Sequence, residues 1–146
     1  MVSEASPGLV RPTVRLFFTC DSAVYDLADD RWELKNPWHT VWMRRGVRRK
    51  FGVKKLTLYV QVSGGLGDFD ISVVLQYLTG KVVLGRSDPQ RASFAPDERL
   101  VVTELTFDMT DVPFPRPDTY EFRLMAGGEQ LEGGSALLRV HPGDLP

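Results

Sequence analysis

Reactive and metal-binding side chains are scarce in this sequence. Its 146 residues include one cysteine, Cys20, and two histidines, His39 and His141. A single cysteine can form neither an intramolecular disulfide nor a zinc site built from several cysteines. Asp21 follows Cys20 directly, and a neighbouring carboxylate raises the pKa of a thiol and so weakens it as a nucleophile. We therefore expect no enzymatic activity, no catalytic residue, and neither a metal nor a cofactor.

The chain also lacks long apolar runs and an excess of charge of one sign. No run reaches the roughly 18 apolar residues that a membrane-spanning helix needs. The 18 basic and 19 acidic residues give a net charge of −1, so no global field draws the molecule onto nucleic acid or an anionic membrane. The N-terminal residues do not have the pattern of a secretory signal. We expect a cytoplasmic protein with no membrane role.

Turn-forming residues, by contrast, are plentiful, with 13 glycines and 10 prolines. Short segments of alternating apolar and polar residues lie between them, and no segment has the periodicity of a helix of three turns. The predicted fold is all-β, an immunoglobulin-like antiparallel β-sandwich of about seven to nine strands, with a jelly roll as the alternative. We expect one domain over residues 13–142, between a flexible arm (residues 1–12) and a tail (residues 143–146).

The first strand and hairpin are predicted in the N-terminal third. Residues 13–21 alternate as a strand whose inward face carries Val14, Leu16, Phe18 and Cys20. Residues 22–34 are interpreted as a hairpin with strands at about 23–27 and 31–35, and a single helical turn is the alternative.

The middle of the chain predicts further strands. One covers residues 38–43, and another covers 55–62 with Leu56, Leu58, Val60 and Val62 inward. The glycine-rich turn at residues 63–68 is expected to join the second of these to a strand over 69–78 as a hairpin. Phe69, Ile71, Val73, Leu75 and Tyr77 form the inward face of that strand.

Alternation weakens after this hairpin and then returns. A short strand is predicted over residues 81–86, residues 87–98 are interpreted as loop, and a strand follows over residues 100–109. The inward face of this last strand carries Val101, Thr103, Leu105, Phe107 and Met109.

The clearest hairpin signal lies in the last third of the chain. A proline-rich corner at residues 113–117 leads into alternating Tyr120, Phe122 and Leu124, and Gly127-Gly128 turns the chain back. In immunoglobulin-like sandwiches a tyrosine near the start of the penultimate strand hydrogen-bonds a backbone group upstream. Tyr120 is predicted to pin this corner.

Several of these segments together resemble a family of proteins. They are the strand that ends in Cys20-Asp21, the Leu-x-Leu-x-Val strand before Gly64-Gly65-x-Gly67, and the late Phe114-Pro115-Arg116-Pro117-x-x-Tyr120 segment. The chain resembles an uncharacterised family of small bacterial proteins, a domain of unknown function, over about residues 13–142. The resemblance implies a shared β-sandwich and assigns no catalytic residue.

A basic run supplies the main candidate binding residues. It carries no acidic residue and contains Arg44, Arg45, Arg48, Arg49 and Lys50, followed by Lys54 and Lys55. Arginines beside Phe51 suit a phosphate backbone with stacked bases, whereas a solvated loop is the alternative that charge runs usually favour. A third possibility is an acidic protein surface, including the acidic segment 21–33 of a second copy of this chain.

Trp32 is the remaining candidate binding residue. Trp38 and Trp42 are expected in the core, but Trp32 lies among charged residues and is the tryptophan expected at the surface. Neither the acidic residues 26–33 nor Asp68 and Asp70 have the spacing of a calcium or phosphate loop. The predicted function is a non-enzymatic protein-interaction module, as a homodimer or an accessory subunit. Nucleic-acid binding through residues 44–55 is the alternative, and carbohydrate binding is the third.

Overall fold

The structure, a computed structural model, describes residues 9–42, 52–80, 82–98 and 101–142. These residues form ten strands and one short 3₁₀ helix, Pro96–Glu98. In chain order the strands are β1 (Thr13–Asp26), β2 (Arg31–Trp38), β3 (Thr40–Trp42), β4 (Gly52–Ser63), β5 (Gly67–Tyr77), β6 (Val83–Arg86), β7 (Gln90–Phe94), β8 (Thr103–Pro113), β9 (Asp118–Ala126) and β10 (Glu129–His141).

The strands form two sheets that share one core. The first sheet has the order β2-β1-β4-β8, and the second has the order β3-β10-β9-β5-β6, with β7 paired to the other end of β5. Neighbours β4-β8 in one sheet and β5-β9-β10 in the other match the B-E and C-F-G neighbours of immunoglobulin-like sandwiches. The predicted all-β sandwich is confirmed. The strand count is higher than predicted, and one pair, β3–β10, is parallel rather than antiparallel.

The inner faces of both sheets carry the predicted apolar alternation. The inward residues of β4, β5 and β9 are fully buried: Leu56, Leu58, Val60, Val62, Ile71, Val73, Leu75, Tyr120, Phe122 and Leu124. Side chains of this size each contribute about 1.5–3 kcal/mol on full burial. The predicted inward faces of β4, β5 and β9 are therefore confirmed.

The predicted hairpin of β4 with β5 is wrong, because the two strands lie in different sheets. The turn between them crosses the end of the sandwich. Gly64 and Gly67 adopt the positive φ expected of them, and at Gly65 a Cβ would lie 3.0 Å from the Phe94 ring. Both strands face one core from opposite sides, so their alternation is the same as in a hairpin.

A β-bulge corrects the predicted inward face of β1. Val14 pairs with Val62 and Leu16 pairs with Gln61, so Arg15 is inserted between them. The insertion reverses the alternation that follows. Leu16 is exposed, Phe17 packs on the core, and Cys20 is buried but on the outer face, in register with Thr57. Cys20 is therefore not the core residue that simple alternation predicts.

Two segments differ from their predicted elements. The strand predicted over residues 38–43 is divided at His39, where the chain leaves β2 and crosses to pair β3 with β10. The predicted loop at 87–98 contains β7, whose Ala92 and Phe94 are buried against the core. Prolines, serines and charged residues around β7 outweigh its short alternation in the sequence.

Smaller differences lie at the ends of the domain and of β8. Val10, within the predicted arm, exchanges backbone hydrogen bonds with Leu66 at 2.8–2.9 Å. Val101 precedes β8 and is exposed, so its predicted inward position is wrong.

The corner at Tyr120 is confirmed. Tyr120 is fully buried, and its hydroxyl donates to the Arg116 carbonyl oxygen at 2.5 Å and accepts from the Arg116 amide at 3.2 Å. Its ring packs between Tyr77, at a centroid distance of 5.1 Å, and Phe114, at 5.0 Å. The hydroxyl thus ties the β8–β9 connection to the core.

Removing this hydroxyl tests the corner. Tyr120→Phe should lower the free energy of unfolding by about 1–2 kcal/mol, because the partly buried amide and carbonyl groups of Arg116 lose their partner. Tyr77→Phe, in the ring stacked on Tyr120, is the matched control and should change it by less than about 0.5 kcal/mol. Urea denaturation measures both, and equal midpoints for wild type and Tyr120→Phe would contradict the account.

Candidate functional site

The hairpin formed by β1 and β2 continues past the last pair between β1 and β4. β1 pairs with β4 from Thr13 to Cys20, and the last pair is Cys20 with Thr57. From Ser22 to Asp26 it pairs, among the residues that the structure describes, with β2 alone. We call residues 21–36 the hairpin arm. A two-stranded hairpin without a third strand is marginal in water, so the arm depends on its own cross-strand contacts and on its base.

The hairpin arm has one apolar face. Ala23 pairs with Leu34 and Tyr25 pairs with Trp32, so these four side chains lie on the same side of the ribbon. The Tyr25 and Trp32 rings meet edge to face, with centroids 5.5 Å apart. At the turn, Leu27 is 87% exposed. Within the described part of the chain β2 packs essentially on β1 alone, so this face adds apolar surface outside the core.

Asp21 fixes the base of the arm. Its carboxylate accepts hydrogen bonds from the Asn36 side-chain amide and from the Trp38 indole N–H, both at 2.9 Å. Asn36 has a φ of 50° and lies between Lys35, which pairs with Ser22, and Pro37, which pairs with Cys20. This backbone conformation bends β2 at Asn36. The Thr19 hydroxyl donates to the Trp38 carbonyl. The arm therefore leaves the sheet at a defined kink.

Negative charge surrounds the apolar face. Asp26 caps the turn by accepting from the amides of Ala28 at 2.9 Å and Asp29 at 3.3 Å. Arg31 lies 3.6 Å from Asp29 in an exposed pair, which is worth little. Asp30 and Glu33 form no ion pair with any described residue. With five carboxylates against Arg31 and Lys35, the arm is acidic.

Of the predicted site residues, the structure describes Trp32 but not the five of the basic run. Trp32 lies in the hairpin arm and is half-buried rather than exposed, because Tyr25 covers part of its ring. Arg44, Arg45, Arg48, Arg49 and Lys50 lie outside the described residues, so their role stays a prediction. The described residues on either side are Trp42, paired with His141, and Gly52, paired with Pro113.

The positions of Trp42 and Gly52 can be compared with the direction of the arm. β1 runs antiparallel to β4, so the arm continues past Thr57 toward the end at which β4 begins. Lys54 and Lys55 are exposed at that end. The described flanks of the basic run, Trp42 and Gly52, therefore lie at the end of the sandwich toward which the acidic arm runs. Sequence reasoning missed Tyr25 and Leu27 as surface residues, although the predicted hairpin already placed Tyr25 and Trp32 on neighbouring strands; their direct pairing is seen only in the structure.

Cys20 lies in a polar layer on the outer face of the first sheet, close to the arm. Neighbouring Thr57 donates to Asp108 at 2.6 Å, and Tyr59 donates to Glu104. Cys20 is fully buried. Burial raises the pKa of its thiol, and the negative charges of Asp21 and Asp108 raise it further. A buried thiol with a raised pKa is poorly suited to nucleophilic chemistry.

Alkylation tests this environment. At about pH 8, close to the ordinary pKa of a thiol, Cys20 in the folded protein should react with iodoacetamide at least about tenfold more slowly than in the unfolded chain. Mass spectrometry with and without denaturant measures the two rates, using the same protein as its own control. Equal rates would show an accessible, ionised thiol and contradict the assignment.

Comparison with known proteins assigns no family. No protein-family model matches the chain, and the search of curated proteins finds no match. The resemblance to an uncharacterised bacterial family stays a prediction. In the part of the chain that the structure describes, no helix has the length and apolar character needed to cross a membrane.

Proposed function

We propose that this domain is a non-enzymatic protein-interaction module of the cytoplasm, and that it associates with a second copy of itself through the hairpin arm. The observation that carries the proposal is the apolar face of Ala23, Tyr25, Trp32 and Leu34, held outside the core by Asp21 at a defined kink. A function in binding explains why aromatic side chains lie outside the core, on the part of the β1–β2 ribbon past the last pair with β4.

The composition of the arm suits a protein interface. Tyrosine and tryptophan are enriched among the residues that contribute most to binding, and they act best when neighbouring contacts exclude water. The rings of Tyr25 and Trp32 contact each other, and Leu27 is exposed in the turn that follows β1. Covering this face would also stabilise a hairpin that has no third strand.

Charge favours a second copy as the partner. The acidic arm runs toward the end of the sandwich at which Trp42 and Gly52, the described flanks of the basic run, lie. In a two-fold dimer each arm can meet the basic run of the other copy, and the two apolar faces can meet near the axis. Complementary charge of this kind speeds association and fixes the orientation of the partners.

The alternative functions have less support. Nucleic acid would meet the basic run of residues 44–55, but the acidic arm runs toward the end of the sandwich at which the described flanks of that run lie and would repel a polyanion. For carbohydrate binding, a flat aromatic platform would be needed, whereas the Tyr25 and Trp32 rings are inclined at 69°.

Replacing the two aromatic residues of the arm tests the proposal. The double variant Tyr25→Ser/Trp32→Ser should raise the dimer dissociation constant at least about tenfold, equivalent to about 1.4 kcal/mol. Val24→Ser is the matched control, because Val24 is 51% exposed but faces the opposite side of the same ribbon. Sedimentation velocity over a concentration series measures the constants, and circular dichroism checks that each variant is folded.

Two outcomes would contradict the proposal. A wild-type protein that stays monomeric up to about 0.1 mM has no affinity that matters for self-association. Tight binding of random-sequence duplex DNA at about 0.15 M salt, with a steep salt dependence, would instead favour the nucleic-acid function.

A further inference from the structure

A groove lies on the outer face of the second sheet, on a different sheet from the hairpin arm. It has a volume of about 710 Å³ and is bounded by β5, β6 and β9. Small-molecule sites in proteins commonly have volumes of this size. Its lining includes Ser72, Val74, Gln76, Arg86, Arg123 and Met125.

Strand register brings two arginines to either side of the groove. Val74 of β5 pairs with Arg86 of β6 and with Arg123 of β9. Adjacent strands are about 4.8 Å apart, so the two arginine Cα atoms lie about 10 Å apart on one face. Val74 is 6% exposed and forms the floor between them. Both long side chains can therefore reach an object that rests on Val74.

No carboxylate of the described residues pairs with either arginine. Arg123 Nε donates to Gln130 Oε1 at 2.8 Å, and Nη1 donates to Gln76 Oε1 at 3.4 Å, so neutral amides orient this guanidinium. Arg86 is exposed and makes no ion pair or hydrogen bond with any described residue.

Two carboxylates on the same face of the sheet, Glu121 and Asp70, have partners other than these arginines. Glu121 accepts hydrogen bonds from Ser135 at 2.6 Å and Gln76 at 3.4 Å. Asp70, at the far end of the groove, pairs with Arg91 at 2.9 Å. The middle of the groove therefore presents positive charge over an apolar floor.

We propose that this groove binds a small organic anion, a carboxylate or a phosphate monoester, that carries an apolar body. The anionic oxygens lie between the Arg86 and Arg123 guanidiniums, whose planar forks match carboxylate and phosphate geometry. The apolar body rests on Val74 and Met125. Gln76 holds Arg123 in place and acts as a positioning residue.

Titration with simple anions tests the proposal. Phenyl phosphate, benzoate and inorganic phosphate are added to the ¹⁵N-labelled protein, and amide shifts are followed by NMR. Shifts are expected at residues 72–76 and 123–125, and phenyl phosphate should bind about tenfold tighter than inorganic phosphate because its ring covers the apolar floor. The tighter of phenyl phosphate and benzoate identifies the preferred anionic group.

Arg86→Gln is the decisive variant, because the Arg86 side chain makes no hydrogen bond or ion pair with any described residue and its replacement should leave the fold intact. It should weaken binding of phenyl phosphate at least about tenfold. Arg139→Gln is the matched control: Arg139 is exposed outside the groove, and among the described residues its guanidinium bonds only the Thr119 hydroxyl, at 3.0 Å, so affinity should not change. The proposal is overturned if no anion shifts these amides up to about 10 mM, or if Arg86→Gln binds like wild type.

Discussion

The extent of pairing between β1 and β4 is the constraint on which the rest of the account depends. β1 is held by β4 only as far as Cys20 and Thr57, and among the described residues its remaining part pairs with β2 alone. Because a lone two-stranded ribbon is marginal in water, the base at Asp21 and the Tyr25–Trp32 contact must hold the arm in shape. The same arrangement leaves apolar side chains outside the core.

The body of the domain, by contrast, is closed by its own interactions. The Tyr120 hydroxyl ties the β8–β9 connection to the core, and the parallel β3–β10 pair joins the chain leaving β2 to the second sheet. A rigid sandwich of this kind can present binding surfaces on separate sheets without coupling them. The acidic arm and the groove between Arg86 and Arg123 have opposite charge, so each suits a different class of partner.

Local patterns in the sequence predicted the elements better than their arrangement. Tyr120 was predictable because its corner needs only a tyrosine, a proline-rich approach and one strand. The hairpin of β1 with β2 was predictable from its turn. The separation of β4 and β5 into different sheets was not, because strands that face a common core alternate in the same way. The bulge at Arg15 was missed for a related reason, since an inserted residue leaves no local signal and reverses every position after it.

For the candidate surfaces too, single residues could be predicted from the sequence, but their arrangement could not. Trp32 was found from composition, but the apolar face that includes Tyr25 depends on cross-strand register, and the pairing of Arg86 and Arg123 with Val74 depends on three strands distant in sequence. The most direct test of the account is amide hydrogen exchange in dilute and in concentrated protein. We predict that residues 22–35 exchange rapidly when dilute and become protected when concentrated, whereas residues 56–62 stay protected throughout. Equal protection of residues 22–35 at both concentrations would contradict the account.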